Sequence, residues 1–304
     1  MKIRILVNGQ KAENPALKEA VAWVRQHHFF ALDLHRIDDP EHADALVRDA
    51  LDDGIERLVV GGGDGTLNLM LNALMTLPPE RRLEMAILPI GTANDFARAA
   101  CIPLDPVDAL LLAIRGRASA VDVGRVNERH FLNVASGGFG AQVTTETPPE
   151  LKNLLGGAAY ALTGFLKLFD FIPMRGEMRI GDARFEGSTF ATAVCNGRQA
   201  GGGMMLAPDA AIDDGMFDIV LYTLDDLPVP ATLAPPSSPL GWLLPFKKLF
   251  RAREVEFIPS EEGLRRINLD GEPYEADRFA FSILPGALSL VLPDETPLLR
   301  SGDS

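Results

Sequence analysis

The chain has 304 residues, about twice the ~150 of a typical domain, which excludes a miniprotein or a lone binding motif and predicts two buried cores. Hydrophobic residues make up 47% and charged residues 23%, and no window approaches the ~18 uninterrupted apolar residues of a membrane span, so the chain reads as a soluble globular protein. With 29 Lys and Arg against 42 Asp and Glu the net charge is −13, which argues against nucleic acid as a partner and against anionic lipid except where basic residues cluster.

In chain order, short apolar runs alternate with segments of helical spacing, the pattern of a parallel sheet covered by helices. Ile3 to Val7 reads as a strand, Pro15 to His27 as a helix, Leu32 to Ile37 as a second strand and Ala43 to Leu51 as a second helix. Arg57 to Val60 runs straight into Gly61, Gly62 and Gly63; Thr66 to Leu77 is helical, Met85 to Ile90 is a fourth strand, and Asn94 to Ala100 starts another helix. This predicts a Rossmann-like α/β domain with its ligand loops at the carboxyl ends of the strands. After about Val121 strand-like runs follow one another across turn signals (VDVGRV, HFLNVAS, EMRIG, FATAVCNG, FDIVLYT, VEFIPS, RINLDG, FAFSILP), which predicts an antiparallel β-sandwich. Two stretches interrupt it: the helix-like Leu151 to Phe171, and Leu227 to Arg253, which ends in WLLPFKKLFRAR. Cys101 and Cys195 form no disulfide framework or zinc motif, and the MKIRILVNGQ terminus reads as a buried strand rather than an export signal, so a reducing cytosol fits.

The strongest local signal is VVGGGDGTLN, Val59 to Asn68, a strand, a glycine-rich turn and a helix start. Glycines let the backbone approach a ligand, and free N–H groups at the helix start favour phosphate; the alternative is a tight turn with Asp64 as a cap. The spacing matches neither GxxxxGK[ST] nor GxGxxG. In ILPIGTANDFAR, Ile87 to Arg98, Thr92 can donate a hydroxyl to a nucleotide while Asn94 or Asp95 caps the helix, or all three serve only turn and cap. In the β region, Asp213, Asp214 and Gly215 form an acidic turn that suits either Mg²⁺ or a hairpin. In INLDGEPYEA, Asp270 and Gly271 turn the chain and present Glu272, a general base if it faces a cleft and an idle turn residue otherwise.

In that order GGGDGTLN, PIGTANDFAR, DVGRVN with FLNVASGGFGA, GGGMMLAPDAAIDDGMFD and NLDGEP resemble the diacylglycerol kinase catalytic-domain family, and most closely its bacterial YegS-type lipid kinases, from Ile3 to about Arg300. The resemblance implies an ATP-dependent lipid kinase with a Rossmann-like α/β nucleotide-binding domain over 1–124, to which 291–304 return, and a β-sandwich lipid and metal domain over 125–290. It implies ATP contacts at Gly63, Asp64, Gly65, Thr66, Leu67, Asn68, Leu69 and Thr92. It implies Mg²⁺ at Asp214 and the carbonyls of Ala211 and Met216, with Ca²⁺ left open, and Glu272 as proton acceptor for a hydroxyl of a diacylglycerol- or phosphatidylglycerol-like lipid. Asp64 and Asp95 are expected to hold metal-bound water or orient the cleft. Leu69 stands where relatives usually carry an acid, and Ile37 where they carry a threonine.

A kinase acting on membrane lipid must reach the bilayer. Trp242 to Arg253 combines Trp242, Leu243, Leu244, Phe246, Leu249 and Phe250 with four cations and no acid, which fits either a peripheral membrane contact at the cytoplasmic face or a helix packed on the sandwich. The competing classes are a soluble NAD-kinase-like small-molecule kinase, which explains the glycine loop but not LDGEP, and a nucleotide sensor without turnover, against which Asp214 and Glu272 argue. The oligomeric state stays open.

Overall fold

The computed structural model describes residues 2–28, 32–138, 174–223, 247–260 and 265–300. The expected helix over Leu151 to Phe171 lies outside the described residues, as does Trp242 to Phe246.

The first third is α/β. Strand β1 (Ile3–Asn8) lies between β2 (Leu32–Ile37) and β3 (Arg57–Gly62), and β4 (Glu84–Pro89) follows β3, all parallel. Side chains alternate across these strands, so each face receives its own helices. On one face Ile5, Val7, Val59 and Leu88 pack against α1 (Pro15–His28) and α5 (Pro106–Arg115). On the other, Leu6, Leu58, Val60 and Ile87 pack against α2 (Ala43–Asp52), α3 (Asp64–Met75) and α4 (Asp95–Ala99). Helix α5 is an element the sequence reading did not name; Pro106 at its first position and the Asp105 carboxylate, which accepts from the Val107 and Asp108 N–H groups, start it.

The remainder is antiparallel β structure. Strands β5 (Ala118–Val126), β6 (Arg129–Phe131), β7 (Val134–Gly138), β8 (Met174–Ile180) and β9 (Ala183–Cys195) come first, then the short hairpin of β10 (Gln199–Ala200) and β11 (Met204–Met205). They are followed by β12 (Phe217–Thr223), β13 (Lys247–Ala252), β14 (Glu254–Pro259), β15 (Arg266–Leu269), β16 (Glu272–Glu275) and β17 (Phe279–Val291). Phe131, Phe217, Phe257, Phe279 and Phe281 fill its core; Phe131 stacks on Phe217 with ring centres 5.7 Å apart.

Strand β17 joins the halves. Phe279, Phe281 and Ile283 belong to the β core, while Leu288 and Leu290 belong to the α/β core, where Leu290 pairs with Met85 of β4. An irregularity between Leu284 and Leu288 shifts its register against β5. The division expected at residue 124 falls inside β5, because β5 and β17 run together past both cores. Residues 247–252 also differ from the helix weighed for them: they form a strand that pairs with β12 through alternate burial, Ala252 inward and Leu249 64% exposed.

Candidate active site

Two strand ends build the floor of the site. Gly63 precedes α3 in an extended conformation, and among the described residues no side chain caps the helix's first-turn amides. The helix itself forms because Leu67, Met70, Leu71 and Leu74 recur at helical spacing and are all buried. After β4 the chain turns through Gly91, and there the two loops touch backbone to backbone: a Cβ on Gly91 would lie 2.3 Å from the Gly63 Cα. Gly91 therefore admits no side chain, while a Cβ on Gly63 would sit tightly, 3.2 Å from the Gly91 Cα.

Asp64 does not cap its own helix. Its Oδ2 accepts from the Asp95 N–H at 3.1 Å and its Oδ1 from the Phe96 N–H at 3.2 Å, so it caps α4, the task expected of Asn94 or Asp95. Asn94, left-handed at φ 51°, instead exchanges hydrogen bonds with the Gly91 peptide. Asp95 is 6% exposed, and its two oxygens accept from the N–H groups of Gly202 (2.8 Å) and Gly203 (2.7 Å) at the turn between β10 and β11. Burial, with Asp64 nearby, raises its carboxyl above the usual range in spite of those two donors. Both aspartates are thereby committed to backbone.

A cleft of about 470 Å³ opens where α3 faces the β15–β16 turn. Gly63, Gly65, Thr66, Asn68 and Leu69 line one side; Leu269, Glu272 and Tyr274 line the other. A Cβ built on Gly65 would meet Glu272 Oε1 at 2.3 Å, so the exposed Glu272 carboxylate lies directly on the first turn of α3. The fold thus brings Glu272 to the glycine loop. Among the other expected contacts, Leu67 is buried, leaving only its backbone near the loop, and Thr92 is exposed outside the cleft lining. Ile37 is a core residue.

Asn68 holds this arrangement together rather than facing free into the cleft. Its amide donates to the His130 carbonyl at 3.0 Å and to Asp270 Oδ2 at 3.1 Å. Asp270 also accepts from the N–H groups of Leu132 (2.7 Å), Asn133 (2.9 Å) and Val134 (3.0 Å). Burial pushes the Asp270 carboxyl up to about 6 even so. With Asp270 at φ 50° and Gly271 at φ 101°, the chain reverses and sets Glu272 at the cleft. Sequence reading assigned Asp270 only the turn and missed Asn8, Asn72 and Arg129, which also line the cleft. Asn8 had a signal, as it ends the first strand on the same sheet edge; Asn68 and Asn72, four apart, share a helix face. Arg129 had none.

The expected metal ligands lie elsewhere. None of Ala211, Asp214 and Met216 lines the cleft. The Asp214 carboxylate accepts from the Met216 N–H at 2.9 Å and from two guanidinium groups, Arg251 and Arg300. Its side chain is 1% exposed. Two cations already neutralise it, so the donor set does not fit Mg²⁺ or Ca²⁺, which need unpaired hard oxygens. Among the described residues no cluster of three His, Cys, Asp or Glu side chains is placed to hold a metal.

Comparison with known proteins agrees with the domain order. Residues 2–126 match the family described as "Diacylglycerol kinase catalytic domain", and residues 133–292 the family described as "YegS C-terminal NAD kinase beta sandwich-like domain". A chain of Shewanella frigidimarina named "Probable lipid kinase YegS-like" is 42% identical across 98% of this chain and 96% of its own. One of Alcanivorax borkumensis with the same name is 38% identical across 98% and 99%. The crystal structure of a diacylglycerol kinase from Bacillus anthracis shares the fold with a TM-score of 0.70 over 96% of this chain and 97% of that one, at 21% identity. A glycine loop faced by an LDGE turn, inside two matched halves and full-length likeness, places this chain in the family of YegS-like lipid kinases with a diacylglycerol kinase catalytic domain.

Proposed function

We propose that the chain transfers the γ-phosphoryl group of ATP to a hydroxyl of a membrane glycerolipid, diacylglycerol- or phosphatidylglycerol-like, with Glu272 as general base. The observation that carries this is the Glu272 carboxylate lying on Gly65 at the uncapped start of α3. Helix-start amides and the helix dipole favour phosphate over Gly63 to Thr66, which sets the terminal phosphate beside Glu272. Glu272 takes the proton of the lipid hydroxyl; the lipid oxygen bonds to the γ-phosphorus as the bond to the β,γ-bridging oxygen breaks, ADP leaves and the lipid becomes a phosphate monoester. A Mg²⁺ ion carried on the nucleotide's own phosphates would neutralise part of their charge, with no ligand for it assigned among the described residues of the cleft. Asp270 and Asn68 fix the turn that aims the base.

The lipid side rests on 242–253. In its described part, Leu249 projects 64% exposed from the β13 edge, and the Lys248 ammonium lies 6.0 Å from the Phe185 ring centre. An apolar residue on a cation-bearing edge suits a peripheral contact at the inner face of the membrane. Replacing Lys247, Lys248, Arg251 and Arg253 together is expected to abolish salt-sensitive binding to anionic vesicles.

The decisive experiment gives the protein labelled ATP with a lipid panel and with NAD, with and without Mg²⁺. Label in the organic phase that depends on Glu272 supports the reading. Label on NAD replaces it with a small-molecule kinase, and nucleotide binding without transfer replaces it with a sensor.

A further inference from the structure

A cleft that takes a triphosphate needs positive charge, and among the described residues that line it Arg129 is the one Lys or Arg. It starts β6, opposite Val126 in the β5–β6 register, with its side chain exposed to the cleft. The next residue is strapped to α3: the His130 N–H donates to Asn72 Oδ1 at 2.9 Å, while the His130 carbonyl accepts from the Asn72 and Asn68 amides at 3.0 Å each. Helix α3 also carries Gly65 and Thr66. The root of Arg129 is therefore held at a set place relative to the phosphate-facing turn, while its guanidinium end makes no ion pair within the described residues.

The electrostatics favour an anion there. Glu272 in the same cleft repels a phosphate, and an arginine lining that cleft offsets the repulsion. A planar guanidinium with paired donors matches two phosphate oxygens, which an ammonium does not.

We propose that Arg129 binds phosphate oxygens of the reacting complex, a specificity-determining contact that rests on the kinase reading above. The phosphate is either the terminal group of the nucleotide or the phosphodiester of an anionic lipid headgroup, and the acceptor used tells them apart. Arg129→Met and Arg129→Lys are assayed with diacylglycerol and with phosphatidylglycerol as acceptors, and a non-hydrolysable ATP analogue and ADP are titrated calorimetrically.

If the partner is the nucleotide, Arg129→Met loses roughly 10- to 100-fold in kcat/KM with both acceptors, and in affinity for the triphosphate analogue but not ADP. If it is the headgroup, the loss is confined to phosphatidylglycerol. Arg129→Lys recovers part of either loss. The proposal is overturned if Arg129→Met, with an unchanged melting temperature, keeps kcat/KM within about twofold for both acceptors and binds the analogue like the parent. Calorimetry needs no turnover: a parent that transfers no phosphate but loses analogue affinity on Arg129→Met sinks the kinase reading and keeps this contact. A parent that transfers phosphate indifferently to Arg129 does the reverse.

Discussion

Two acidic turns in the β region look alike in sequence and behave differently in the structure. The Asp270–Gly271 turn takes its counter-charge from neutral donors, three backbone N–H groups and the Asn68 amide, and leaves the next carboxylate, Glu272, exposed at the cleft. The Asp213–Gly215 turn is closed by cations: Arg251 and Arg300 meet on Asp214, the Gly215 N–H donates to Asp122 at 2.6 Å, and Asp213 accepts from the Arg300 N–H at 2.9 Å. An aspartate satisfied by backbone dipoles aims its neighbour, whereas one satisfied by guanidinium groups ties the C-terminal segment down. Neighbouring donors, which lie far off in sequence, decide the role.

The comparison can be broken most sharply at Glu272. Glu272→Gln keeps shape and removes basicity, so initial rates with labelled ATP and lipid are expected to fall about 10²- to 10⁴-fold with the melting temperature moved by less than about 3 °C. Near-full turnover would return Glu272 to an ordinary turn residue. Asp270→Ala strips four donors of their acceptor and is expected to cost roughly 3 kcal/mol or more in urea unfolding, with activity falling alongside. A loss under 1 kcal/mol would mean that the turn does not depend on its buried carboxylate.

Asp270 also has a pH signature. Its carboxyl is raised in the folded state, to about 6, so the stability it contributes is full below the ordinary aspartate range near 4 and is lost as pH rises through 6. The stability gap between the parent and Asp270→Asn should narrow from pH 4 to pH 7; a gap that widens overturns the assignment. Gly91→Ala drives a methyl into the Gly63 backbone and should cost about 2 kcal/mol, measurable by denaturant unfolding. The smallest effect concerns the cationic turn. Mg²⁺ without nucleotide should leave the melting temperature unchanged, and a rise abolished by Asp214→Asn would restore a metal to that turn.

Much of the α/β half is legible because its signals are local. The alternation of Ile5, Leu6 and Val7 and the spacing of Leu67, Met70, Leu71 and Leu74 each fix an element within a few residues of sequence. Lys247 to Ala252 was ambiguous because WLLPFKKLFRAR has an apolar and basic pattern that fits a helix, and only pairing with β12 makes it a strand. At the site, the glycine loop and Glu272 stand out through their turn chemistry. The straps do not: an asparagine on α3 that holds a peptide of β6, or an aspartate that gathers the N–H groups of residues 132–134, leaves no trace in spacing, since partner and group are brought together only by the tertiary fold.

Asp64 carries a lesson for reading related genomes. Because its carboxylate is a clip between two loops, selection for folding alone would retain it, even in a descendant that had lost phosphoryl transfer. A surviving GGGDG in such a chain would be an architectural fossil, and under the mechanism proposed above the residue whose loss marks the end of catalysis is the glutamate on the facing turn.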